Sequence, residues 1–205
     1  PHGIKLMEKE YALGNLTQSD RHLVSLSQIG KTVGYLNMGH IFDMNATRIK
    51  GLTEGMITGR KLAREYGRFL KKYSPNCEDM ELIATGTLMG VRESRRIVGE
   101  YELNIDDYLN RREFPDQIGI YNKFVDIHPY NCTKKEYERF RKESHETDRL
   151  GEGEYFGIPY SILVPKGWKN LWVAGRCNSS DIKVHGSIRV MPAATMMGQA
   201  GGTAA

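Results

Sequence analysis

Two stretches of the chain hold residue types that can do chemistry at close spacing. The first, Gly90-Val91-Arg92-Glu93-Ser94-Arg95-Arg96, is the densest charge cluster in the sequence. The second lies near the C-terminus: Gly175, Arg176 and Cys177, then His185-Gly186-Ser187-Ile188-Arg189 and Val190. Guanidinium groups recognise planar anions through paired N–H donors, and an imidazole titrating near neutrality responds to bound charge. A cation beside Cys177 could lower its thiol pKa, although a cysteine there more often simply packs. On residues alone the Arg92 cluster is a solvated turn, a network with nearby carboxylates, or a nucleic-acid patch. A net charge of +4 and the absence of interleaved aromatics argue against the last.

The elements that must position these residues follow from pattern. Leu171-Trp172-Val173-Ala174 is an apolar run without alternation, as in a strand covered on both faces of a parallel sheet, and Gly175 ends it. Open α/β sheets bind ligands at the carboxyl ends of their strands, which places residues 175–180 at a mouth. A Gly-Ser-Ile-Arg turn then leads to a helix in whose first turn Pro192 costs nothing. That helix carries Ala193, Ala194, Gly198, Ala200, Gly201 and Gly202, a density of small residues that suits close approach of another backbone or a ligand. The Arg92 cluster sits between two strand-like runs, 81–85 and 96–103. Thr53 opens a helix to about Tyr73, with Met56, Tyr66, Phe69, Leu70 and Tyr73 on its apolar face. Gly55, Gly59, Ala63 and Gly67 line one side of it, for packing against a sheet. Thr133-Lys134-Lys135-Glu136 reads as a capping box starting a charged helix to about Leu150, which Gly151-Glu152-Gly153 breaks.

With these residues in view, the segment 170–204 resembles the C-terminal signature of the flavoproteins that include fumarate reductase and succinate dehydrogenase. Ala174-Gly175-Arg176 stands where that superfamily has A-G-E, and His185-Gly186-Ser187-Ile188-Arg189 where it has H-G-A-N-R. A closer likeness is to bacterial FAD-dependent oxidoreductases, in TGTLMGVRESRRIVGEYEL (85–103), GIPYSILVPKG (157–167) and the C-terminal block. Between those blocks the likeness is loose. The resemblance implies FAD as cofactor, with Gly175, Arg176, Cys177, Gly186, Ser187, Ile188, Arg189 and Val190 around the flavin. It implies that Arg189 clamps an anionic substrate group, that His185 helps hold it, and that Arg92 and Glu93 face the pocket. Arg176 departs from the superfamily's acidic residue, so its contact differs; the residues flanking Arg189 also differ, so a dicarboxylate substrate does not follow.

No strand followed by G-x-G-x-x-G appears anywhere in the chain. The expected fold is therefore α/β, with an α+β cap: the C-terminal part of an FAD/NAD(P)-binding flavoprotein fold. Residues 1–168 form a mixed-sheet substrate-binding or cap domain, and 169–205 lend a strand and helix to an FAD domain whose N-terminal half is absent. The expected partners are a small-molecule substrate and that missing half. A homo-oligomer is compatible, and nucleic acid is not expected. The alternative function is a non-catalytic docking module of flavoprotein ancestry, and a polyanion-binding protein ranks third. At 205 residues, 40% hydrophobic and 26% charged, the composition is that of an ordinary globular protein. No apolar run approaches the ~20 residues of a membrane span. A cytoplasmic location is expected, with export left open because Pro1 is not a methionine. Cys77, Cys132 and Cys177 form no C-x-x-C pair. His40 and His128 read as hydrogen-bonded structural residues. Asp126 and His128 could share one face, but a metal needs further ligands and none is expected. His2, His22 and His145 receive no role.

Overall fold

The computed structural model describes residues 2–18, 26–146 and 149–205, so His22 lies outside the described residues. The helices are α1 (His2–Ala12), α2 (Ile49–Tyr73), α3 (Ile105–Leu109), α4 (Lys134–Glu146), α5 (Ile182–Ile188) and α6 (Met191–Ala204). The strands are β1 (Ser27–Gln28), β2 (Gly34–Tyr35), β3 (Gln117–Tyr121) and β4 (Phe156–Pro159), the last running into a 3-10 turn, Tyr160–Leu163. The chain divides into two compact units: Pro1–Gly90 with Pro129–Phe140, and Val91–His128 with Arg141–Ala205.

Unit 1 is built on α2. An Asn45 turn, with Thr47 N–H and Oγ1 donating to Asn45 Oδ1, delivers the chain into a helix that starts at Ile49 rather than Thr53. Tyr66 and Phe69 are buried as the periodicity requires, joined by Leu62 and by Met7 of α1. Glu65 is buried too, because Thr17 satisfies both its carboxylate oxygens, through the N–H at 2.7 Å and the hydroxyl at 2.5 Å. The small-residue side of α2 meets a loop, not a sheet. A Cβ at Gly55 would come within 2.4 Å of Met44 Sδ and one at Gly59 within 3.0 Å of Ile41, while Gly67 has nothing within 4 Å. The start of α4 holds half of the expected capping box. Glu136 N–H donates to Thr133 Oγ1, but the Glu136 carboxylate turns to Tyr130 N–H and Arg139.

Unit 2 is organised by the antiparallel pair β3–β4, every residue of β4 being buried. Phe156, Ile158, Ile162, Leu163, Ile188 and Met197 are fully buried at its centre. Truncating an aromatic such as Phe156 to Ala would cost about 3–5 kcal/mol. Gly119 lets α6 lie against β3, since a Cβ there would stand 2.5 Å from Met196 Sδ. Pro192 occupies the first turn of α6, as its sequence position implies.

Several expected strands are not strands. Both sheets are two-stranded and antiparallel, so among the described residues there is no mixed sheet. Leu171–Ala174 belongs to no strand; the Val173 N–H bond to the Leu163 carbonyl (2.8 Å) ties its backbone to the 3-10 turn, and Leu171 is exposed. A parallel strand exists through its neighbours, and the described residues provide none here. The 81–85 run is likewise unpaired, with Ile83 exposed. Residues 96–103 form no strand: they bend at 100–101, make isolated bridges from Gly99 to Pro165 and from Leu103 to Ser180, and add single backbone bonds such as Ile97 N–H to the Cys177 carbonyl. The broad class, helices with small sheets, agrees with α/β.

Candidate functional site

The site is carried by α5 and the loops on either side of it, all within unit 2. Asp181 caps α5 and ties it to α3. Its Oδ1 accepts from Val184 N–H at 2.7 Å and its Oδ2 from Ile105 N–H at 2.7 Å. The Gly-Ser-Ile sequence read as a turn is in fact the last part of α5, fully helical and buried. The reason is Gly186. A Cβ there would stand 2.9 Å from Ile127 Cγ2 and 3.1 Å from the Asp126 carbonyl, so only glycine lets residues 126–127 lie on the helix. Ser187 Oγ donates to the Lys123 carbonyl (2.7 Å) and Arg189 Nη2 to the Asp126 carbonyl (2.6 Å), which pins the 123–126 segment at both ends.

Charge collects on that pinned segment. Asp126 Oδ2 lies 3.0 Å from Arg92 Nη2 and 3.6 Å from Lys123 Nζ, and Oδ1 lies 3.3 Å from His128 Nε2. Asp126 and His128 do share a face, as their spacing suggested. Burial alone would raise the Asp126 pKa, but His128, Lys123 and Arg92 outweigh it and hold the carboxyl well below the usual range. Arg189 is half-buried. Desolvation, reinforced by Arg92, lowers its pKa to about 10, so it stays charged at neutral pH. Its Nε is buried with no hydrogen-bond partner among the described residues. Glu93 pairs with Arg96 at 3.4 Å. Four cations (Arg92, Arg96, Lys123 and Arg189) thus gather around two carboxylates, Glu93 and Asp126, leaving surplus positive charge.

The second part is the 175–178 loop. Gly175 takes a left-handed φ of +85° with nothing within 4 Å of a would-be Cβ, and Asn178 Nδ2 donates to its carbonyl at 2.7 Å. Arg176 and Cys177 are exposed at the tip, where Arg176 Nη1 donates to the Val91 carbonyl. His185 holds this loop from beneath. It is fully buried, its Nε2 lies 2.8 Å from the Arg176 carbonyl, and Nδ1 lies 3.4 Å from Glu93 Oε2. A carbonyl can only accept, so Nε2 carries the proton. Burial lowers the His185 pKa, and Arg96 and Arg189 act in the same direction, against the Arg176 carbonyl and Glu93.

Arg92, Arg176, His185 and Arg189 all lie on α5 and the loops beside it. Gly186, Ser187 and Ile188 lie in the buried part of α5. Sequence reasoning missed Lys123, and it saw Asp126 only as a partner for His128. The signal was available but thin: Lys123, Asp126 and His128 are the polar positions of an otherwise aromatic and aliphatic KFVDIH run. No group of three or more His, Cys, Asp or Glu side chains suited to a metal occurs among the described residues. Nor is any described helix long and apolar enough to cross a membrane.

Comparison with known proteins gives the class. Residues 4–205 match the family described as FAD dependent oxidoreductase, and the chain belongs to that family. It is a flavoprotein family of oxidoreductase kind, and its cofactor is FAD. The match extends well beyond the blocks that carried the resemblance. No curated protein and no solved structure matches the chain. The residues suit the flavin end of FAD. Open backbone at Gly175, an α6 start with no side-chain cap at Val190, and the orphaned donor Arg189 Nε all offer places for an electron-rich ring edge or an anion. The sequence carries no G-x-G-x-x-G turn of the kind that cradles a pyrophosphate.

Proposed function

We propose that this chain is the flavin-facing and substrate-binding portion of an oxidoreductase related to the fumarate reductase and succinate dehydrogenase flavoproteins. It would serve hydride transfer between a small organic substrate and FAD, the flavin supplying the hydride acceptor or donor. The observation that carries the reading is the surplus of positive charge held rigidly by α5 beside the open Gly175 loop. Arg189 orients a carboxylate or carbonyl group of the substrate. Arg92 stabilises negative charge that develops on it. His185, buried and bonded to the Arg176 carbonyl, assists by fixing the 176–177 loop against the cofactor. Gly186, Ser187 and Ile188 support the cofactor's edge from α5, with Val190 at the start of α6.

Leu171–Ala174, short of strand partners, supports a further proposal: an N-terminal half, carrying the pyrophosphate turn, adds the missing strands. On this account 169–205 belongs by function to the FAD domain and 1–168 to the cap, a division by what each part touches. Unit 2, drawn by packing, holds residues of both. The exposed Trp168 and Leu171 equally suit the docking-module alternative.

The experiment is the visible absorption spectrum of the protein made from its whole gene, native and then denatured, and titrated with small carboxylates. A bound flavin whose spectrum shifts with carboxylate is expected. Arg189→Ala should keep the flavin and lose most of the shift, about tenfold or more in apparent affinity. An unchanged shift in that variant removes Arg189 from the site. No flavin, even with added FAD, makes the docking module the better account.

A further inference from the structure

Asp126 is an unusual counter-ion. Its carboxylate reaches Arg92, Lys123 and His128, a set of donors that would serve a free oxyanion equally well. The group is reachable, because the Asp126 side chain is 27% exposed and Arg92 is 39% exposed. Arg189, bonded to the Asp126 carbonyl, and Arg96 add two further cations, and among the described residues Glu93 pairs with Arg96. Arg189 Nε, buried and without a partner among the described residues, leaves a donor of the same network unused.

We propose that Arg92, Lys123 and His128 form a subsite for one small oxyanion, a carboxylate or a phosphate, which the Asp126 carboxylate fills in the free chain as an internal competitor. An incoming anion takes the three donors, and Asp126 moves out into solvent with its charge intact. No bond is made or broken. The exchange keeps the three donors paired and adds one negative charge to a chain of net charge +4, which favours it. It also selects against weakly charged ligands, since these cannot displace a carboxylate already in place. The subsite rests on the proposed function in that it would receive the anionic group of the substrate. Its test uses calorimetry and needs no flavin, so the two can fail separately.

Phosphate and acetate are titrated separately, at low ionic strength, into the native protein and into Asp126→Asn. The variant removes the competing charge and keeps the shape. At least one anion should bind about tenfold more tightly to Asp126→Asn than to the native protein, and adding Arg92→Gln should abolish the gain. The anion that gains identifies the chemistry of the subsite. Equal affinity in native and Asp126→Asn for both anions overturns the proposal, as does a gain that survives Arg92→Gln. Lys123→Gln in the otherwise native protein gives an independent arm should Asp126→Asn not fold. Weaker anion binding is expected there, and unchanged binding overturns the proposal.

Discussion

Glu10 in unit 1 and Asp126 in unit 2 are both carboxylates held below their ordinary pKa, and their surroundings differ in kind. Glu10 is buried and takes hydrogen bonds from Lys72 at 2.9 Å, Tyr73 Oη at 2.6 Å and Asn15 Nδ2 at 2.7 Å. Lys72 and Tyr73, helped by Asn15, bring its pKa down to about 2. One cation and two neutral donors close the charge, and the network fastens the end of α1 to the end of α2. The side-chain partners of Asp126 are Arg92, Lys123 and His128, with Arg189 on its carbonyl. A balanced network spends its electrostatics on the fold. An over-charged one keeps part of them available for a ligand.

Gly186 gives the sharpest way to break that contrast, because it allows the Asp126 segment to sit on α5. Gly186→Ala puts a methyl 2.9 Å from Ile127 Cγ2 and 3.1 Å from the Asp126 carbonyl. Overpacking of this kind costs about 1–3 kcal/mol, which for a chain of this size lowers the thermal midpoint by roughly 2–4 °C per kcal/mol. Anion binding should fall with it, while the Glu10 network stays intact. A variant with native stability and native anion affinity would show that the 126–127 segment is not held by this approach.

The same residues show what the sequence revealed and what it hid. Helices α2, α4 and α6 were legible because their signals are local, such as the period of Tyr66 and Phe69, the Pro192 start and the Tyr73 end of α2. In contrast, α5 was read as a turn, and α1 and α3 were not expected. Sheet membership was not, because an apolar run such as Leu171–Ala174 specifies a strand only when neighbours exist to pair with it. Arg92, His185 and Arg189 were singled out through likeness to a family, and all three lie on α5 or the loops beside it. The role of Gly186 was hidden because it depends on a segment some sixty residues away in sequence, Asp126–Ile127. His185 carried another surprise. The resemblance implied that it helps hold substrate; the structure shows it fully buried with Nε2 on the Arg176 carbonyl, where it supports the loop.

Acid should separate the two units' electrostatics. Folding lowers the His185 pKa beneath 6.5, so the unfolded chain binds that proton more readily. The stability His185 contributes is whole above 6.5 and declines as pH falls through its lowered value. Glu10 behaves alike in a lower window, its contribution whole above 4.5 and lost as pH falls toward about 2. Thermal midpoints taken from pH 8 to pH 2 should therefore decline in two stages. His185→Gln should flatten the first and Glu10→Gln should shrink the second, to which Asp126, Glu136 and Glu154 also contribute. Trp168 and Trp172 both lie in unit 2, so their fluorescence should follow the first stage. A single stage removed by either variant would mean that the two groups do not act separately.

The smallest expected effect concerns the small-residue side of α2. Gly67 lies in the middle of the helix with nothing within 4 Å of a would-be Cβ. Gly67→Ala should stabilise by about 0.5–1 kcal/mol, through reduced backbone freedom in the unfolded chain. Gly55→Ala should do the reverse, because its methyl would meet Met44 Sδ at 2.4 Å and Met89 Cε at 3.0 Å. Opposite signs from two glycines on one stripe would show that the stripe packs only at its Met44 end. If Gly67→Ala destabilised as Gly55→Ala does, the open end of α2 would have to be covered by something beyond the contacts described. Unit 1 would then share with the over-charged site of unit 2 a surface reserved for a partner, and the contrast between the two regions would narrow to their charge.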